Sequence, residues 1–275
     1  KYLPDGINII VQNRPGGGGR VARTLMMRAE PDGYKMAILS AVSAVADKVV
    51  FGSDAIGYDY SKFTYFGQIA KEPGVIAVGK HTGWTSIEDV KNAGRPVRGA
   101  ITGVGSVSFI IGVAFGELVG FETAFVSGYV GSQDAMTGTA RGDSDMSIYN
   151  PSSMLSFFES GDLIPLMVLD SERHPLLPNV PTSIELGLPE ATAGLDLVTR
   201  FIYGPPNMPE NIANFYFDVV PKTLNDPEFI AWAESAKRPL QTAGPEIVAK
   251  SVKVWVDTYG AYDTQIKAAM KALGG

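Results

Sequence analysis

The sequence predicts an α/β protein of two lobes, with mostly parallel sheets covered by helices on both faces. Three observations carry this. Strand-like and helix-like segments alternate from Ile7 to about Leu169. After Gly204-Pro205-Pro206 the pattern turns almost wholly helical. The loops that follow the strands are rich in Gly, Ser and Asn, and in open α/β sheets the ligand sits outside those strand ends. A length of 275 residues suits two lobes.

Taken in order, Ile7-Asn8-Ile9-Ile10-Val11 is an apolar run that reads as a strand. It leads through Asn13-Arg14-Pro15-Gly16-Gly17-Gly18-Gly19-Arg20 into a helix-patterned stretch, residues 21–29. A strand that ends in glycines at a helix start brings free N–H groups and a positive helix end together, which suits an anion. A simple tight turn is the alternative use of the same glycines. Residues 35–39, 63–69 and 74–80 are further strand candidates. Thr85-Ser86-Ile87-Glu88-Asp89 carries capping-box spacing, so a helix starts there. Residues 97–101 form a strand that stops at Gly103-Val104-Gly105-Ser106-Val107-Ser108, and a helix then runs to about Val119. Residues 121–126, 146–149 and 163–169 read as strands, and 132–139 and 151–158 as helices, the latter opened by Pro151. Asn225-Asp226-Pro227 breaks the helical tail. Ile247, Val248, Val252, Val254, Trp255 and Tyr259 form an apolar stripe expected to face the core. Chain crossings near residues 73–80 and 199–204 would divide the chain into a discontinuous first lobe, 1–78 with 200–275, and a second lobe, 79–199. Two crossings beside a cleft make a hinge.

Composition narrows the function. The net charge of −6 argues against a broad nucleic-acid footprint. The chain has no cysteine, which removes disulfides, thiolate metal sites and cysteine nucleophiles. His81 and His174 are the only histidines, so neither a histidine metal site nor a Ser/His/Asp set is expected. No apolar run reaches the ~18 residues of a membrane span, and no signal peptide is visible, as in a mature or trimmed chain. No metal or cofactor is expected.

The segment Asn13–Gly19, then Pro31-Asp32-Gly33-Tyr34, resembles the "ENRPGAGG…APDGY" signature of the tripartite tricarboxylate transporter substrate-binding proteins, the Bug family. Further likenesses follow in order. They are Tyr58-Asp59-Tyr60-Ser61-Lys62-Phe63, the Gly/Ser run at 103–108, Phe115-Gly116-Glu117-Leu118, Tyr129-Val130-Gly131 with Gly142 and Asp145, Leu177-Pro178-Asn179-Val180-Pro181-Thr182 with Glu185-Leu186-Gly187-Leu188-Pro189, and Asn225-Asp226-Pro227-Glu228. Together they span essentially the whole chain. The sequence departs from the pattern at Phe109, at Tyr149 and near Ser127-Gly128. The family also begins with a strand–loop–helix unit of about 30 residues, whereas only six residues precede Ile7 here. The record is either clipped there or rearranged in its first lobe.

The resemblance implies a two-lobed Venus-flytrap, type II-like binding protein. It implies a monomeric periplasmic receptor that captures an organic carboxylate and delivers it to membrane transporter subunits. The carboxylate would be a di- or tricarboxylate, an acidic amino acid or an aromatic acid. A carboxylate needs N–H and O–H donors. The candidate contacts are Ser40, Ser43, Gly103, Gly105, Ser106, Ser108, Tyr129, Gly131, Asn150 and Ser153, with Gly18, Gly19, Asp134 and Tyr149 as secondary ones. Helix capping is the alternative role for Ser106, Ser108, Asn150, Ser153 and Asp134. Two rival functions stay open. One is the ligand-sensing domain of a regulator or two-component system, although no DNA-binding helix pair precedes Ile7. The other is a dinucleotide-binding enzyme, although Gly103-Val104-Gly105 lacks the third glycine, replaced by Ser108, and Glu122 opens its strand instead of closing it.

Overall fold

The computed structural model describes residues 1–273 except 53, 54, 191, 193 and 194. Its strands form two sheets. The first holds β1 (Ala37–Ser40), β2 (Thr64–Pro73) and β8 (Asp196–Gly204), in the order β1-β8-β2 with both pairings antiparallel. The second holds β3 (Val75–Gly79), β4 (Val97–Ala100), β5 (Thr123–Val126), β6 (Met146–Tyr149) and β7 (Leu163–Val168), in the order β5-β4-β6-β3-β7.

The first sheet is therefore antiparallel and the second mixed; neither is mostly parallel. β4 pairs parallel with β5 and β6, and β3 pairs antiparallel with β6 and β7. The cause is connectivity. Parallel neighbours need a helical crossover, and α4 (Val107–Val119) and α5 (Ser132–Arg141) supply it between β4, β5 and β6. β3 instead continues straight out of β2 across Gly74, so it enters the second sheet against that direction. The chain returns to the first sheet between β7 and β8.

Residues 7–11 form no strand, contrary to the sequence reading. Ile10 and Val11 are 79% and 84% exposed. Among the described residues β1 pairs on one side only, with β8, and no strand lies beside residues 7–11. An apolar run without a ladder partner has nothing to hold it extended. The sequence reading also missed α2 (Ala41–Phe51): Ser40 ends β1 and Ser43 lies in the first turn of this helix, where a loop was expected.

The other elements follow their local signals. α1 (Arg20–Met27) follows the glycines. α3 (Ile87–Lys91) opens on a capping box of Ser86 and Asp89. α6 (Pro151–Ser160) carries Pro at its first turn, and α8 (Pro227–Ser235) starts at the Asp226-Pro227 break after α7 (Glu210–Leu224). α4 is buried almost all round. Phe109, Ile110, Ile111 and Phe115 are fully enclosed, each contributing about 1.5–3 kcal/mol of burial. One apolar cluster continues from the second sheet through α4 to β8, α9 (Ile247–Gly260) and α10 (Asp263–Ala272). Of the C-terminal stripe, Val248 and Tyr259 join this core while Val254 is exposed. The Val252 and Trp255 side chains lie outside the described residues.

Candidate binding site

A cavity of about 550 Å³ opens between the two sheets, a size that suits a small organic ligand. The N-cap residues of five helices line it: Gly19 of α1, Ser40 of α2, Ser106 of α4, Gly131 of α5 and Asn150 of α6. In four of them, all but α4, the N-cap side chain makes no capping hydrogen bond. The first N–H groups of a helix have no partner within the helix, and the positive dipole ends lie there. Their convergence makes the cavity a donor-rich, electropositive space. Among the described residues no Asp or Glu lines it, and Arg200 is the one cation that does.

Two loops meet across the opening. Gly18, at φ +63°, lies against the backbone of Ser106, where an added Cβ would sit 3.4 Å from the Ser106 Cα. A side chain there is disfavoured both by the left-handed backbone and by the close approach. Ser106 accepts a hydrogen bond from the Phe109 N–H at 3.3 Å and stands 3.2 Å from the Ser108 hydroxyl. It thus caps α4 and lines the cavity at once. The Ser40 hydroxyl and the Tyr149 phenol are buried with no hydrogen-bond partner among the described residues. Unpaired buried hydroxyls are uncommon, because each carries a desolvation penalty. Burial pushes the Tyr149 phenol up to about 12; the Ser108 hydroxyl lies near enough to offset part of that rise without reaching hydrogen-bond geometry.

A buried charge network fixes the first-lobe wall. Arg23 of α1 donates to Ser43 Oγ at 2.9 Å, to the Gly18 carbonyl at 3.2 Å, to Asp47 at 2.5 Å and to the Tyr58 hydroxyl at 2.9 Å. Ser43 also donates to the Ser40 carbonyl. Asp47 stands behind Gly105: a Cβ there would lie 2.8 Å from Asp47 Oδ1 and 2.7 Å from the Phe51 ring. One buried ion pair thereby holds the Gly18 loop, Ser43 and the Gly105 turn in register. Burial pushes the Asp47 carboxyl up, against the pull of the Arg23 charge.

Of the sequence-selected residues, Ser40, Ser43, Ser106, Ser108, Tyr129, Gly131, Asn150, Ser153, Gly18, Gly19 and Tyr149 line the cavity. Three do not. Gly103 is near Gly18, and Gly105 turns its free side onto Asp47 and Phe51, so both shape the loop from behind. Asp134 accepts a hydrogen bond from the Val130 N–H at 3.1 Å and serves the turn before its own helix. Tyr129 lines the cavity with its ring, while its hydroxyl is closed against Gly138. Asn150 is tied to Glu72 at 2.9 Å and to Ser152. Seven further residues line the cavity. Pro15, Gly16, Val107 and Val130 lie inside segments already singled out, and Thr102 and Ser132 adjoin them; Arg200 is the one that sequence reasoning missed. Arg200 lies inside a strand, and no motif marks it.

An antiparallel sheet and a mixed sheet, joined where β2 runs into β3 and again between β7 and β8, with a cavity between them, have the fold of bilobed solute-binding proteins. The profile described as tripartite tricarboxylate transporter family receptor (TctC) matches residues 5–238, and the chain belongs to this family of periplasmic solute-binding receptors. Among relatives, an uncharacterised-family (UPF0065) protein from the tcbD-tcbE intergenic region of Pseudomonas sp. strain P51 is 25% identical, over 90% of this chain and 74% of its own length. The protein BugT of Bordetella pertussis is 28% identical, over 67% of this chain and 58% of its own length. The fold is similar to the periplasmic binding protein BugD, with a TM-score of 0.81 and 23% identity over 94% of this chain and 86% of that one. It is equally similar to R. palustris Rpa4515, solved with adipate, with a TM-score of 0.81 and 22% identity over 95% and 87%. MatC of Rhodopseudomonas palustris, solved with malate, gives a TM-score of 0.75 and 20% identity over 89% and 85%. No helix among the described residues is long and apolar enough to cross a membrane.

Proposed function

We propose that this chain is a periplasmic receptor that binds a small organic carboxylate in the cleft between its sheets and delivers it to membrane transporter subunits, without catalysing a reaction. The observation that carries the reading is the convergence of five helix N-termini on an acid-free cavity. Such a site offers N–H donors and dipole ends that favour a carboxylate over a neutral solute. Two relatives in fold hold carboxylates, adipate and malate. Ser106, Ser108 and the α4 N-terminus meet the Gly18–Gly19 loop across the opening, so donors of both loops reach the same anion.

Thermal-shift screening of carboxylates, sugars and nucleotides tests this, because a ligand that binds only the folded state raises the melting temperature with concentration. Carboxylates raise it, and S106A/S108A lowers their affinity on folded protein; because Ser106 also caps α4, the ligand-free melt falls by a few degrees. A chain stabilised by sugars or nucleotides and by no carboxylate would contradict the reading.

A further inference from the structure

The cavity has two chemically different ends. One is the uncharged, N–H-rich mouth of α4. The other is the β1–β8 wall, where Arg200 stands directly opposite Ser40 in the antiparallel register. Residues paired in this way present their side chains on the same face of the sheet, and both line the cavity.

Arg200 is incompletely used by the protein. Its Nη1 lies 3.5 Å from Glu72 Oε1, and its side chain donates no hydrogen bond among the described residues. Its neighbour Ser40 carries one of the buried hydroxyls without a partner among the described residues. Glu72 is the ion-pair partner of Arg200 but takes no hydrogen bond from it, and its oxygens are engaged by other donors. These oxygens accept from Asn150 Nδ2 at 2.9 Å, from the Ser152 N–H at 3.1 Å and from the Ser152 hydroxyl at 2.9 Å. Glu72 is 1% exposed and does not line the cavity, whereas the Arg200 side chain is 37% exposed. Buried Arg23 is held by Asp47, and Arg95 and Arg98 by Asp145, while half-buried Arg20 stacks on the Phe51 ring outside the cavity lining. Arg200 keeps free donors in a fork that matches a carboxylate.

We propose that Arg200, with the Ser40 hydroxyl, is the specificity-determining site for a second carboxylate, so that the ligand is a dicarboxylate whose distal group lies on the β1–β8 wall. This rests on the carboxylate-receptor reading and deepens it. The α4 end then recognises what every carboxylate shares, and Arg200 discriminates by charge at the far end. A distal methyl leaves the guanidinium without a partner, and a distal ammonium is repelled by it.

Calorimetric titration of the full chain with adipate, hexanoate and 6-aminohexanoate at about pH 7.5 tests the assignment, since their carboxyls are ionised there. Wild type prefers adipate to hexanoate by about tenfold or more, as expected for a charge-assisted contact. R200Q collapses that ratio towards one through loss of adipate affinity, and R200E turns the preference towards 6-aminohexanoate; both also lower the melt, since buried Glu72 loses its ion-pair partner. R200K, a cation without the fork, keeps part of the ratio. Circular dichroism melts of each variant establish that it is folded. If wild type binds monocarboxylates and adipate equally, or if R200Q keeps the wild-type ratio, Arg200 is not the discriminating group and the receptor reading stands. If no carboxylate binds the folded wild-type chain, the receptor reading itself falls and takes this assignment with it.

Discussion

Replacing Asp47 with Ala tests the claim that a buried ion pair scaffolds the cleft. Asp47 is fully buried and Arg23 is 3% exposed. The substitution leaves Arg23 its bonds to Ser43, Tyr58 and Gly18 but removes its counter-charge. An uncompensated buried charge costs about 3–5 kcal/mol, a large share of a typical stability of about 5–15 kcal/mol. At roughly 2–4 °C per kcal/mol for a chain of this size, the melting temperature falls by about 6–20 °C. The pair itself is another matter. Burial already disfavours the ionised Asp47, so replacing both partners with apolar residues, R23M/D47L, costs less than D47A alone, although the Tyr58 hydroxyl and the Gly18 carbonyl lose these bonds. That double variant still binds ligand poorly, because the Gly18 carbonyl and Ser43 lose their common anchor. Urea unfolding and calorimetry separate the two effects. A D47A variant within about 1 kcal/mol of wild type would refute the scaffold argument, as would a double variant with full affinity.

Three further outcomes are expected. G105A places a methyl at φ +84° against Phe51 and Asp47 Oδ1; it costs at least about 2 kcal/mol in urea unfolding and weakens carboxylate binding, and wild-type values for both would contradict this. Burial raises the Asp145 carboxyl, but hydrogen bonds from Arg95 and Arg98 overcome that and hold it well below its ordinary 3.8. A lowered folded-state value gives stability that is present above pH 3.8 and lost as the pH falls towards the folded value; D145N is therefore less stable at neutral pH with a flatter acid limb, and parallel acid curves for the two chains would contradict it. Ile10 and Val11 are exposed apolar neighbours; I10K/V11K lowers the binding of an apolar fluorescent dye and any concentration-dependent association, and unchanged dye binding would show that this segment is not the source.

The local signals that the sequence carried were the ones physics makes local. Pro151 at a helix start, the Ser86–Asp89 capping box and the Asp226-Pro227 break each act within one turn, and each marks the element it heads. The Gly/Ser loops at strand ends were legible for the same reason, and most of their residues reach the cavity. What failed was non-local. Residues 7–11 have the composition of a strand, but pairing needs a neighbour that composition cannot supply. The direction of β3 depends on its continuation from β2 through Gly74, so the mixed sheet was invisible to an alternation pattern. α2 was hidden by a run of Ala, Val and Ser that periodicity does not distinguish from a buried strand. Arg200 was missed because a strand residue reaches the cleft only through register, opposite Ser40.

The most direct test of the central claim is an amide-correlation NMR titration of the ¹⁵N-labelled chain with adipate. If the convergent helix N-termini bind the carboxylate, the largest saturable shifts fall on the amides of Gly19, Val107, Ser108 and Ser132, with Arg200 and Ser40 following. Shifts confined to residues away from this cavity, or none at saturating ligand, would contradict it.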